Sequence, residues 1–561
     1  MTTTHNTLRL TILAQDPAVR LGGRRLAVSR VEVPAETLAP GPVGYRVRVI
    51  DFDGTTNRLY LPHTYEIDPK TGELIDPWAP PAEDASAAVW RRYEDRILGD
   101  PQFHAQNAFA IAMRTLARFE QALGRRVAWG FESHQLQIAP HAFCDANAFY
   151  SEYDHALLLG YFPGRNGENV FTCLSHDVIA HETTHALLDG MRDRFTEPSS
   201  PDQAAFHEGF ADVVAILSMF SLEEIVRAAL GGAQAKRGPG SFDLVPERFL
   251  TSEALKESIL FGLAKQVGIE LEPLKRDALR RSINIEPSRD ILNRPEYLEP
   301  HNRGEVLVAA FLRGFLELWE RRIAQIGTFG RGLRNLDMVI DEGVKAADHL
   351  LTIAIRALDY CPATDIDFPD FLAALLTADA EVAPDDRKYR YRDTIRKAFY
   401  AYGIDPPPDR CNPDGTWTRY SGTELTYSRT HFESMLRDKE EVFRFVWENR
   451  FALGVDDRGY TEVQFVRTST PIGPDGFVLH ETICEYVQVV QLFAAEMKAV
   501  LGFERPAGML TTQNITVYAG GTLVFDEYGK VKYHIAHPLT EVKRQQARME
   551  YLYRTGFFEE T

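Results

Sequence analysis

The first 80 residues alternate apolar and polar side chains in short runs. TLRLTIL (7–13), RLAVSRVEV (25–33), YRVRVIDF (45–52) and RLYLPHTYEI (58–67) have the period of half-buried strands, separated by Gly, Pro and Asp-Gly turns. Pro77, Pro80 and Pro81, followed by a polar stretch, mark a linker. From about residue 100 to 404 the apolar positions recur every three or four residues, which predicts helices over 102–124, 175–189, 203–220, 305–323, 336–358 and 387–402. Pro406-Pro407-Pro408 and the turn CNPDGT (411–416) form a second boundary. Beyond it, 430–450 and 481–502 read as helices, and YTEVQFVR, NITVYAG, GTLVFDEYG and KVKYHIA as strands. The Gly-rich stretch 231–241 lacks the spacing of a phosphate-binding loop and reads as a surface loop. The expected organisation is a β-rich region (1–85), a mostly helical core (86–404) and an α+β tail (405–561), giving an α+β fold class.

Composition narrows the function classes. The 62 Lys+Arg against 80 Asp+Glu give a net charge of −18, which disfavours nucleic acid and anionic membranes as partners. Five cysteines with no CxxC pair argue against a disulfide scaffold, a zinc ribbon or a thioredoxin-like site. The chain opens MTTTHNTLRLTILAQD, without a basic segment followed by an apolar one, and no apolar run reaches membrane-spanning length. A reduced, cytoplasmic location is the expectation.

The chemistry concentrates in SHDVIAHETTHALLDG (175–190). Ser175 is suited to cap a helix, Asp177 to its positive end and Gly190 to its termination. His181 and His185, four apart, project from one face, which is the spacing a tetrahedral metal requires of two ligands on one helix. Glu182 lies beside the first histidine, where it can reach a metal-bound water without ligating the ion. A second helix, PDQAAFHEGFADVVAIL (201–217), sets Glu208 and Asp212 on one face. Glu208 offers the oxygen of a His2Glu site, and Asp212, one turn on, can accept the free ring N–H of a ligating histidine. Gly209 costs about 1 kcal/mol inside a helix, which fits close packing of this helix on the HExxH helix.

These segments resemble the thermolysin-like gluzincin zinc metallopeptidases. The resemblance rests on Asn147-Ala148-Phe149-Tyr150, on His181-Glu182-Thr183-Thr184-His185 with Asp189, on Glu208-Gly209-Phe210-Ala211-Asp212, and on EPHNRGEVLVAAF (299–311). It covers about 300 residues in the middle of the chain, closing near residue 404. It implies a zincin core holding one catalytic Zn2+ on His181, His185 and Glu208, with Glu182 as general base and then acid. His301 would donate to the transition-state oxyanion, and Asn147 and Ala148 would align a substrate peptide as an added strand. The partner is then a peptide or protein substrate.

The sequence also departs from that family. The interval from His185 to Glu208 is long, with Pro198-Ser199-Ser200-Pro201 as the inserted turn. His207 stands where the family carries an asparagine beside a zinc histidine, and is either a supporting residue or a surface one. Asp193-Arg194-Phe195-Thr196 offers no counterpart of the oxyanion-assisting tyrosine. Asp177 matches a calcium-coordinating position, but its partner position falls near Met219, so a structural Ca2+ is unsupported.

Two rival readings remain. A catalytically silent zincin scaffold that binds a protein or peptide partner would keep the fold, although it has no need of Glu182. Asp51-Phe52-Asp53-Gly54-Thr55 resembles the first motif of haloacid-dehalogenase-type phosphatases, but the chain continues into another strand, which suits an Asp-Gly hairpin. His63, His104, His349, His534 and His537 lack ligand spacing to one another and are expected to be core or surface polar residues.

Overall fold

The structure is a computed structural model describing residues 7–17, 20–21, 25–164, 167–230, 236–237, 243–259, 278–330, 332–421, 424–473 and 476–558. Helix accounts for 42% and strand for 21%, with β-rich N-terminal sheets, a helical middle and a C-terminal antiparallel sheet, so the fold is α+β. The Gly-rich stretch 231–241 lies outside the described residues except for 236–237.

Thr7–Leu13 and Val28–Pro34 pair antiparallel, Leu10 opposite Val31, and Leu10, Ile12 and Leu13 are fully buried. The pair packs on the helix Pro101–Leu123, whose Asn107 Oδ1 accepts the N–H of Leu13 at 2.8 Å. Val47–Val49 joins a larger sheet in the order Ala148–Ser151, Ala156–Pro163, Leu136–Cys144, Val47–Val49. The first 85 residues therefore share both a sheet and a hydrophobic core with the helical region. The proline-rich stretch is packed rather than loose: Trp78 is buried and its Nε1–H donates to Asp100 at 2.9 Å.

The helical middle is built around Pro201–Phe220, which packs against both His176–Asp189 and Pro300–Ile323. Ser200 caps it by accepting from Gln203 N at 3.0 Å, with Pro201 in the first turn, where its missing N–H costs nothing. Gly209 meets Gly304 of the Pro300–Ile323 helix: a Cβ on Gly209 would lie 2.9 Å from the Gly304 backbone. The close approach that Gly209 permits is thus to that helix, and not to the HExxH helix.

In the tail, the strands Tyr460–Ser469, Glu481–Phe493, Asn514–Phe525 and Val531–His537 form one antiparallel sheet in that order. The helix expected over 481–502 is a strand as far as Phe493, with only the short helix Met497–Leu501 after it. Glu481–Gln488 is buried on both faces, so the alternation that signals a half-exposed strand is missing. Ile483, Val524, Tyr533 and Ile535 merge with the main core, while Cys484, Leu523 and Phe525 pack on the helix Lys439–Glu448. Buried ion pairs reinforce the seam. Arg356, fully buried, bonds Asp359 at 2.7 Å and Glu481 of the sheet, and Arg192 bonds Glu485.

Candidate metal centre

His181 and His185 share one face of the His176–Asp189 helix and are 6% and 8% exposed, so their nitrogens sit at the floor of the site. Ser175 leads into this helix without capping it; its Oγ–H faces Asp177 Oδ1 at 2.7 Å and Asp16 Oδ2 at 3.1 Å. Gly190 follows with an ordinary right-handed backbone, and its role is close approach: a Cβ there would lie 2.1 Å from Ala128 O. The helix is therefore tied at its start through Ser175 and Asp16 and closely packed at its end against Ala128.

The two Nε2 atoms stand 2.9 Å apart. Glu208, on the adjacent helix, faces both, with carboxylate oxygens 3.4 Å from His181 Nε2 and 3.6 Å from His185 Nε2. His181 Nδ1 is 2.8 Å from Asp212 Oδ1. An ionised carboxylate only accepts, so the His181 proton belongs on Nδ1 and the Nε2 lone pair points into the group. Two imidazole nitrogens and a carboxylate oxygen converging within 4.8 Å suit a borderline-soft divalent cation. Burial pushes the Glu208 carboxyl up, but when the rings are protonated in the metal-free site the His181 hydrogen bond and the charges of His185, His181 and His207 outweigh it and hold Glu208 below its usual range. It therefore stands ready as an anionic ligand.

Glu182, 2% exposed, turns towards the sheet rather than joining the three donors: its Oε2 accepts the Tyr150 N–H at 2.8 Å. Tyr150 belongs to Ala148–Ser151, an edge strand that among the described residues pairs only with Ala156–Pro163. Ala148 is fully buried, and its N–H donates to Asn147 Oδ1 at 2.9 Å. His207 stacks on His185 with ring centroids 4.4 Å apart and planes 5° apart, and its Nε2 is 2.9 Å from Asp189 Oδ1. It is thus a wall of the site, able to fix the His185 ring by packing. Glu208 is the open side, with 32% of its side chain exposed.

No protein-family model and no curated protein matches the chain. The candidate metal group stands on geometry alone. His301 is not one of the three donors: it opens the Pro300–Ile323 helix, 65% of its side chain is exposed, and its Nδ1 faces Glu299 Oε1 at 2.7 Å. Phe195, in the stretch Asp193–Thr196, is buried against Phe206 and brings no hydroxyl.

The phosphatase-like motif is a turn. Phe52–Asp53 and Arg58–Leu59 pair antiparallel, and Asp53 accepts from Thr55 N, Thr56 N, Thr56 Oγ1 and Tyr161 Oη. Two residues of chemical interest carry no signal in the sequence, His141 and Cys173, which gather with His104 into a second buried group. No local spacing links residues 104, 141 and 173, so only the fold brings them together.

Proposed function

We propose that this chain is a zinc-dependent metalloendopeptidase, with His181, His185 and Glu208 as metal ligands and Glu182 as general base. The observation that carries this reading is the division of labour among four acidic or imidazole groups. Three converge as ligands, while Glu182 lies next to them in sequence yet points to the edge strand through the Tyr150 N–H. A bound zinc would lower the pKa of water and polarise a carbonyl. Glu182 would take a proton from the attacking water and hand it to the leaving nitrogen. In this reading a peptide substrate would align along the strand Ala148–Ser151, which pairs with Ala156–Pro163, with Asn147 and Ala148 at its start. Asp212 fixes the His181 tautomer and raises its basicity as a ligand.

His301 would donate to the oxyanion. With Nδ1 directed at Glu299, a neutral ring carries its proton on Nδ1, so donation from Nε2 requires the imidazolium.

The deciding experiment compares wild type with Glu182→Gln for metal content and for cleavage of a diverse peptide library. The reading expects both proteins to hold zinc and only the wild type to cut. Zinc in both with no cleavage by either would favour the partner-binding scaffold.

A further inference from the structure

Asp51, His104, His141 and Cys173 come from four separate segments and meet in the interior. His104 lies in the first turn of Pro101–Leu123, and Cys173 in the short turn Thr172–Leu174 just before the HExxH helix. His141 lies on Leu136–Cys144 where the pairing register breaks between Ala139 and Phe143. His104 and His141 are each 1% exposed, Cys173 is fully buried and Asp51 is 8% exposed. The rings of Phe171 and Tyr60 close over the group, at centroid distances of 4.9 Å to His104 and 4.9 Å to His141 respectively.

A proton count exposes the anomaly. His104 Nε2 faces the carbonyl of Leu98 at 2.9 Å; a carbonyl only accepts, so the proton belongs on Nε2 and Nδ1 keeps its lone pair. His141 Nδ1 faces both Asp51 oxygens at 2.8 and 3.0 Å, so its proton belongs on Nδ1 and Nε2 keeps its lone pair. Those two lone-pair nitrogens, His104 Nδ1 and His141 Nε2, stand 2.8 Å apart. Something positive belongs between them. The same short nitrogen pair occurs at His181 and His185, where Glu208 supplies the third donor. Here the third donor is Cys173 Sγ, within 4.8 Å of a ring nitrogen of each histidine.

We infer that His104, His141 and Cys173 form a second, buried metal site of the Zn2+ class, with Asp51 as the carboxylate that orients His141. Each histidine already directs its other ring nitrogen to an acceptor, the arrangement found behind metal-ligating histidines. The thiolate selects a borderline-soft ion over Mg2+ or Ca2+. The charges balance: a divalent cation meets one thiolate and one carboxylate, and binding releases the Cys173 thiol proton to solvent. Three protein ligands leave the fourth tetrahedral position to a solvent molecule or a shift of Asp51. The site would clamp the start of the Pro101–Leu123 helix and the strand Leu136–Cys144 to the turn that leads into the HExxH helix, a structural role separate from peptide cleavage.

Cobalt distinguishes the two sites, because a His2Glu site contains no sulfur. Chelator-stripped full-length protein is titrated with Co2+ and its near-ultraviolet spectrum recorded. Two equivalents are expected, one of them producing a sulfur-to-cobalt charge-transfer band. Cys173→Ser should lose the band and one equivalent, whereas Glu208→Gln should keep the band. A wild-type protein that takes up cobalt without the band would mean that a proton, not a metal, bridges His104 and His141, and would overturn the inference. Survival of the band in Cys173→Ser would overturn it equally, since another cysteine would then be the ligand. The wild-type spectrum alone decides the first point, so a poorly folding variant leaves the inference testable.

Discussion

The backbone N–H of Tyr150 donates to Glu182 Oε2 at 2.8 Å, linking the edge strand to the proposed general base. That bond holds one carboxylate oxygen in place and orients the other. A base held in this way spends no reorganisation energy at the moment of proton transfer. Tyr150→Pro would remove the donor and the strand geometry together, so the informative change is at the carboxylate. Glu182→Asp shortens the side chain by one methylene and should lower kcat by about 100-fold or more, with zinc content unchanged. Steady-state kinetics on a cleaved library peptide, with metal analysis of the same sample, checks this.

Asp212 acts on the proposed site through the ring of His181, so its effect should appear in metal affinity. Asp212→Ala is expected to weaken zinc binding by about 10–100-fold, measured by competition with a chromophoric chelator. Unaltered affinity would mean that the His181 tautomer is set by something other than this carboxylate.

Two glycines on one helix should respond in opposite directions to alanine. At Gly304 a new Cβ would sit 3.0 Å from the Ala205 carbonyl and the Gly209 N, both backbone atoms that cannot swing aside. Gly304→Ala should therefore destabilise by about 1–3 kcal/mol through overpacking. At Gly314 the nearest atom is the Ala398 Cβ at 3.7 Å, an ordinary contact. Gly314→Ala should gain about 0.5–1 kcal/mol from helix propensity alone. Denaturant unfolding of the two variants side by side tests the pair.

Glu305 supplies a pH signature. Burial pushes its carboxyl up to about 7, opposed by Arg281 and reinforced by Asp212 and Glu299, with His301 pulling down. The folded-state pKa lies above the unfolded one, so the folded chain binds more protons between roughly pH 4.5 and 7. This group's contribution is thus fully present below the unfolded pKa and is lost as pH rises through 7. Glu305→Gln in metal-free protein should flatten that part of the stability–pH profile and leave the variant relatively more stable at pH 8. Parallel profiles for the two proteins would show that Glu305 ionises normally.

The seam to the tail sheet depends on charge. Glu485→Ala leaves the buried Arg192 guanidinium without its carboxylate and should cost about 3–5 kcal/mol. Arg192→Leu combined with Glu485→Leu should recover much of that loss, because the desolvation penalty disappears with both charges. A double-mutant cycle by denaturant unfolding measures the difference.

Local sequence is enough to read the α+β class and the helices bearing His181, His185 and Glu208, because helical period and ligand spacing are properties of one or two turns. It misleads at Glu481–Gln488, where burial on both faces erases the strand's alternation. It also points Gly209 to the wrong neighbour, since a glycine signals close approach without saying to what. The helix Val542–Arg554, with Gln545, Arg548 and Met549 buried, is not legible in the sequence: its apolar positions are few and its polar face dominates.

The opening pattern of strands and helices is therefore determined by the chain itself, as is the pairing of His181 with His185. Only the tertiary structure decided that Tyr150 meets Glu182, that Asp51 serves His141 rather than a phosphate, and that His104, His141 and Cys173 share one interior point. The physical reason is range. Helical faces are set within four residues, whereas these contacts join segments 32 to 90 residues apart and exist only once the core has closed around them.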